Sequence, residues 1–270
     1  MPTTPGIDVS YWQAGIDWPK VRATGQRFSL VKATDGETYT DPTFEANWLG
    51  AKTTGLLRGA YCYFHPSQDP KKQADRFISV VKATNDNGEL PPALDLEVSE
   101  GISRDKIILK AKAWLDQVEQ AFGRKPFIYS AVSFLETNFS EPGGGPPAWV
   151  KDYPLWLAWY PYQYTPGMNL LMPQGWFKWT VWQYSKTGHL NGINDKVDFD
   201  VFNGTLDDLY KFAGVQAQDS TPKIHTVAAG DSFETIANKY GLTVRELVSA
   251  NPQLLKTGDK LMVPVPVAIP

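Results

Sequence analysis

Cysteine is nearly absent. Cys62 is the only one in 270 residues, which excludes an intrachain disulfide framework and a Cys-rich zinc site. Histidine is almost as scarce, and the widely spaced His65, His189 and His225 do not suggest a His-built metal site. No apolar run approaches the ~20 residues that cross a bilayer, so membrane insertion is not expected. A surplus of one charge is missing as well. The 26 Lys+Arg against 29 Asp+Glu leave a net charge of −3, without the basic face that nucleic-acid binding requires. The opening residues 1–8 have neither the basic nor the apolar region of a secretory leader. The expectation is a protein that stays cytoplasmic until released, or one secreted with its leader absent from this chain.

Aromatic residues are what the chain has in excess. They make up 13%, including 10 Trp, and every Trp lies between Trp12 and Trp182. So sharp a shift in composition predicts two domains. The small, polar segment 213–223 lacks an apolar period and reads as the linker. It would divide a domain over 1–212 from one over 224–270. Residues 223–270 carry five bases and four acids, so the negative charge belongs to the first part.

Eight segments of the first part read as strands, beginning at Gly6, Phe28, Gly59, Ala93, Pro126, Leu155, Thr180 and Val197. Helical patterns lie between the early ones. Asp41-Pro42 reads as an N-cap and first turn for a helix burying Phe44, Trp48 and Ala51. Lys71–Thr84 places Ala74, Phe77, Ile78 and Val81 on one face, and Ser103 heads a long helix carrying Ile107, Trp114 and Val118. Past residue 140 the helical signal fails. The predicted fold is α/β: an irregular, flattened barrel of eight strands, with fewer helices in its second half.

Barrel active sites form at strand ends, and acids gather there. Asp8 ends the first strand. The two-residue period puts Asp95 and Glu97 on one face of the Leu94–Val98 segment, and Asp198 and Asp200 on one face of the last strand. If the first and last strands are neighbours, Asp8 approaches Asp198. Unpaired acids on an otherwise apolar strand are costly to bury, and their crowding raises the pKa of one member. Glycoside hydrolysis uses such a pair, one carboxyl to protonate the leaving oxygen and one carboxylate to stabilise positive charge. Trp and Tyr near the strands suit stacking on sugar rings, with Trp12, Tyr61, Tyr63, Tyr129, Trp159, Tyr160, Trp182 and Tyr184 as candidates, half or more of which are expected to fill the barrel and the helix–sheet layer instead; Trp48 and Trp114 belong to the core.

Ile7-Asp-Val-Ser-Tyr-Trp-Gln13, Val31-Lys-Ala-Thr-Asp-Gly36, Gly59-Ala-Tyr-Cys-Tyr-Phe-His65, Leu94-Asp-Leu-Glu97, Trp182-Gln-Tyr-Ser185 and Val197-Asp-Phe-Asp-Val-Phe202 occur in order. Together they resemble the family 25 glycoside hydrolases, the Chalaropsis-type lysozymes, over about residues 5–212. The resemblance implies an N-acetylmuramidase that cleaves the β-1,4 bond from N-acetylmuramic acid to N-acetylglucosamine. By motif position it implies Glu97 as general acid and then base, with Asp95 stabilising positive charge or orienting the substrate's 2-acetamido group. Asp8 and Asp198 would hold the cluster and the sugar. Tyr61, Tyr63, Tyr129, Tyr160, Trp182 and Asp200 would contact substrate. Three positions depart from the pattern: Asp35 where relatives often have Glu, Cys62 where many have His, and Asp200 where Asn is common. Cys62, between strand aromatics, reads as a small buried apolar residue.

The tail reads β-α-α-β. Asp231–Glu234 has a capping-box spacing with Gly241 as helix stop, and Thr243–Glu246 is a second capping box. Asn251-Pro252 ends the second helix, and a last strand follows Gly258. This tail resembles a LysM module, a small α+β unit that binds N-acetylglucosamine-containing glycans. The resemblance assigns binding to loops 228–232 and 250–255, with Gly230, Asp231, Ser232, Asn251 and Pro252. Phe233, Ile236, Tyr240, Leu247 and Leu261 only pack. The expected whole is a monomeric peptidoglycan hydrolase without cofactor or metal, of phage endolysin type, with bacterial peptidoglycan as its partner. A bacterial autolysin, a chitinase-like glucosaminidase and a catalytically dead wall-binding barrel are the alternatives.

Overall fold

The computed structural model describes residues 2–141, 144–216, 223–240, 242–251 and 256–263. In chain order the first nine strands are β1 (Thr3–Val9), β2 (Phe28–Asp35), β3 (Tyr39–Thr40), β4 (Leu57–Tyr63), β5 (Ala93–Asp95), β6 (Phe127–Ala131), β7 (Leu155–Ala158), β8 (Val181–Gly188) and β9 (Val197–Asn203). Hydrogen bonding runs β1-β9-β8-β7-β6-β5-β4-β2, and β1 pairs again with β2. Eight strands therefore close into a barrel, with β3 as a short antiparallel arm on β2.

All eight strands expected from the sequence are present, and one runs backwards. The barrel strands β1, β2 and β4 through β8 are parallel where they pair, whereas β9 is antiparallel to both β8 and β1. The connection 189–196 is too short for the crossover that a parallel pair needs. The reversal has a consequence for the site: the start of β9, not its end, lies beside the ends of the other strands. Asp198 thereby stands opposite Asp8 in register.

Helices α1 (Trp18–Ala23), α2 (Phe44–Thr53), α3 (Pro70–Lys82), α4 (Arg104–Phe122), α5 (Val132–Asn138) and α6 (Leu206–Ala213) surround the barrel. Between β7 and β8 the chain crosses over without a helix, and Trp176 and Trp179 cover the sheet instead. Helix α2 starts at Phe44, not at Pro42. The Asp41 carboxylate accepts from the Thr43 N–H and hydroxyl and from the Tyr11 N–H, so it organises a turn and does not cap the helix. Ser103 does stand at the N-cap of α4, with extended backbone, although no side-chain capping bond forms.

Side-chain alternation divides the barrel into two layers. Phe28, Leu30, Phe127, Trp156, Val181 and Phe202 fill its interior, while Val9, Val31, Leu94, Leu96 and Leu157 face the helices. Trp48 and Trp114 are buried beneath α2 and α4, and Cys62 is buried in the same layer. Among the described residues no helix is long and apolar enough to cross a membrane.

The tail forms β10 (Lys223–Thr226), α7 (Phe233–Tyr240), α8 (Val244–Ala250) and β11 (Lys260–Val263), with β10 and β11 antiparallel. Its core joins Val227, Ile236, Ala237, Leu247, Leu261 and Val263, with Phe233 and Tyr240 against it, so the five residues read as packing do pack. The Thr243–Glu246 capping box forms. The Asp231–Glu234 box does not. Ser232 and Thr235 cap each other at the head of α7, and Asp231 turns to His225 and the Ala228 N–H. Gly241, Pro252 and most of the expected linker lie outside the described residues.

Candidate active site

Asp8, Asp95, Glu97 and Asp198 line one cleft of about 240 Å³ at the ends of the parallel strands. Parity brings them there. Ile7 and Val9 turn outward and Asp8 inward; Leu94 and Leu96 turn outward, Asp95 and Glu97 inward. Strand β5 is shorter than expected and ends at Asp95, but Leu96 still donates its N–H to the Tyr129 carbonyl at 3.0 Å. The chain thus stays extended long enough to keep Asp95 and Glu97 on one side. Asp95 is 4% exposed, whereas Glu97 is exposed at the mouth.

Gln183 on β8 ties the cluster together. Its Nε2 donates to Asp8 Oδ2 at 2.7 Å and to Asp198 Oδ2 at 3.2 Å. Its Oε1 accepts from the Tyr129 hydroxyl at 2.8 Å and the Tyr160 hydroxyl at 2.6 Å. The sequence reading did not single out Gln183 for the site. The signal was available, because it follows Trp182 by one residue and so must face the other way. Trp156, on β7, was missed for the same reason; it walls the cleft and donates its indole N–H to Asp200 Oδ1 at 2.8 Å. Lys32 is a cation in the cleft wall, drawn to Asp35 at 2.6 Å.

Burial and mutual repulsion keep protons in this cluster. Burial raises Asp95 well above the ordinary carboxyl value, and the adjoining Glu97 carboxylate raises it further. Asp8 is raised by burial and by Asp198 and Asp200, against the Gln183 hydrogen bond. Asp198 is pushed up to about 6 by burial and then Glu97, with Lys186 opposing. The Tyr61 and Tyr129 hydroxyls are held neutral by burial and the surrounding carboxylates. Among the described residues no group of three or more His, Cys, Asp or Glu side chains is arranged to hold a metal ion.

Tyr61, Tyr63 and Tyr129 line the cleft as expected, and Trp12 stands on its wall, 67% exposed. Tyr160 lies at the rim, joined through Gln183. Four of the expected sugar contacts are elsewhere, with Trp159 and Tyr184 packed beside Trp182 in the helix layer. Trp182 faces the helix layer, buried, with its indole N–H on the Trp159 carbonyl, because β8 parity turns it outward. Asp200 faces inward but lies one pleat deeper than Asp198, beneath the cleft and 1% exposed. In the tail, Gly230 and Ser232 are exposed and Asp231 is bonded into its own loop. Asn251 is buried, its amide donating to the Leu247 carbonyl, so its side chain closes the end of α8.

Sequence comparison matches residues 7–193 to the family described as glycosyl hydrolases family 25. The chain belongs to that family. Residues 225–264 match the LysM domain. An Escherichia coli K12 protein, YegX, is 40% identical over 215 residues, 78% of this chain and 73% of its own. An N,O-diacetylmuramidase of Chalaropsis is 34% identical over 78% of this chain and 99% of its own. Among solved structures, a bacterial lysozyme from Streptomyces coelicolor is similar with a TM-score of 0.67 and 30% identity, covering 78% of this chain and 96% of that one. This family 25 member is thus a glycoside hydrolase of the lysozyme type, and its LysM unit points to peptidoglycan as the polymer addressed.

Proposed function

We propose that this family 25 hydrolase cleaves the β-1,4 bond between N-acetylmuramic acid and N-acetylglucosamine, with net retention at the anomeric carbon. The observation that carries the reading is the graded set of carboxyls in one aromatic-walled cleft, with Asp95 buried and Glu97 at the mouth. Glu97 gives the proton it shares with the buried Asp95 to the glycosidic oxygen as the C1–O bond breaks, which leaves Asp95 a carboxylate. The carbonyl oxygen of the substrate's 2-acetamido group closes on C1, and Asp95 accepts the amide N–H and balances the positive charge. Glu97, now a carboxylate, takes a proton from water as that water opens the ring. Asp8 and Asp198, joined through Gln183, hold the sugar in place. The LysM unit anchors the enzyme to glycan strands. The biological setting we infer is wall lysis, of the phage endolysin type.

Digestion of purified peptidoglycan tests the reading. New muramic acid reducing ends, released first as the β anomer, are expected. Glucosamine reducing ends would instead indicate a glucosaminidase, and an α anomer would indicate inversion. Glu97→Gln is expected to lower lysis by at least 10²-fold while leaving wall binding intact. Near-normal lysis by that variant would overturn the assignment.

A further inference from the structure

Beneath the cleft lies one acid more than a substrate can reach. Asp200 Oδ1 accepts the Trp156 indole N–H at 2.8 Å, but Oδ2 is equally buried and meets no N–H or hydroxyl donor. The Asp8 carboxyl, itself only 7% exposed, adjoins that of Asp200 within hydrogen-bonding reach. Two bare carboxylates cannot adjoin in a floor packed with Trp156 and Phe202, since both are buried and no cation among the described residues pairs with them. A single proton removes the difficulty: it lets one carboxyl donate to the other and satisfies the orphaned oxygen.

We propose that Asp200 is a positioning residue that holds one proton jointly with Asp8 at neutral pH, and that this carboxyl–carboxylate bond fixes Asp8 for the sugar. The inference rests on the reading of Asp8 as part of the muramidase site. Burial places both members on the same side, each raised well above the ordinary carboxyl range. The pair titrates as a unit. The groups around it reinforce the effect: Asp198 on β9 and the Asp95–Glu97 pair at the end of β5 are further acids, and the Tyr61, Tyr129 and Tyr160 hydroxyls stay neutral. Lys186 and Lys32 are the nearby cations; Lys186 acts on Asp198 and Lys32 on Asp35, and neither pairs with Asp8 or Asp200. An amide at 200 supplies its own N–H to Asp8 and needs no shared proton.

The full chain with Asp200→Asn or Asp200→Ala tests this. Infrared spectra at pH 7 are expected to show one protonated-carboxyl C=O band fewer in Asp200→Asn than in the wild type. The wild type binds more protons folded than unfolded here, so its stability falls as pH rises from the ordinary carboxyl range. Its Tm should therefore drop more between pH 5 and 8 than that of Asp200→Asn. Asp200→Asn should also retain at least tenfold more lytic kcat than Asp200→Ala at pH 6. An unchanged C=O band in Asp200→Asn, parallel Tm curves, or equal losses in the two variants would overturn the proposal. A wild type inactive on every wall would instead sink the muramidase reading, while the infrared and Tm results would still decide the shared proton.

Discussion

His65 sits at the rim of the cleft between two carboxylates, its Nε2 2.6 Å from Asp35 and its Nδ1 2.7 Å from Glu100. Glu100 also receives the N–H and hydroxyl of Ser67, and its own backbone is left-handed at φ 50°. A non-glycine residue held there costs of order 1–3 kcal/mol, so the contacts of its side chain keep the turn after Glu97 in place. Burial alone would depress the imidazolium, but the bonds to Glu100 and Asp35 raise it above its ordinary value. Glu100 moves the opposite way, down to about 2, as His65 and Ser67 outweigh its burial. The His65 contribution to stability is therefore complete below its unfolded value of about 6.5 and is lost as pH rises through the raised folded value. The Glu100 contribution is complete above about 4.5 and is lost toward pH 2. The Tm difference between the wild type and His65→Gln should peak near pH 5.5 and shrink on both sides. A difference that stays constant from pH 3 to 9 would show that the clamp is not ionic.

At the scale of elements, β4, α2 and the segment entering β5 are joined by Arg58, whose side chain is fully buried. Its guanidinium bonds Glu89 at 2.7 Å and Asp86 at 3.1 Å and stacks on Trp48 at 4.5 Å. Arg58→Met would leave the Glu89 carboxylate buried without its cation, at a cost of about 3–5 kcal/mol. Urea unfolding at pH 7 measures it, and a loss under about 1 kcal/mol would contradict the role. Adding Glu89→Gln should restore part of the loss. None of this network was legible in the chain, because Arg58, Asp86 and Glu89 carry no periodic signal. The eight strands were legible, since each alternates or forms a short apolar run that survives burial. The direction of β9 was not, because strand polarity depends on the connection and not on the strand. The same parity that assigned Asp95 and Glu97 to one face also implied Gln183 inward and Trp182 outward. Alternation, not stacking potential, decides which of the two faces the cleft.

Among the described residues, barrel and tail are joined by two ion pairs between α2 and α8. Lys52 of α2 reaches Glu246 of α8 at 3.1 Å, and Arg245 pairs with Glu45. Both Arg245 and Glu45 are about two-thirds exposed, and exposed pairs contribute about 0–1 kcal/mol before salt screens them. The exposed Arg245–Glu45 pair therefore adds little to the tail's attachment, which leaves Lys52–Glu246 as the more buried link, and the tail's own core is small. Its contribution lies in avidity: a glycan bound by the tail holds the cleft near neighbouring bonds at high effective concentration. A chain ending at Gln216 should keep the barrel's Tm within a few degrees. It should cleave soluble muropeptide oligomers at an unchanged rate and bind insoluble walls roughly 10²-fold more weakly. Because the net charge is only −3, this difference should persist at high salt, as expected for recognition of sugar rings and not of wall charge. Equal sedimentation of the shortened and full chains with walls would show that the barrel alone carries attachment. A loss of activity on soluble oligomers would show that the tail shapes the cleft itself.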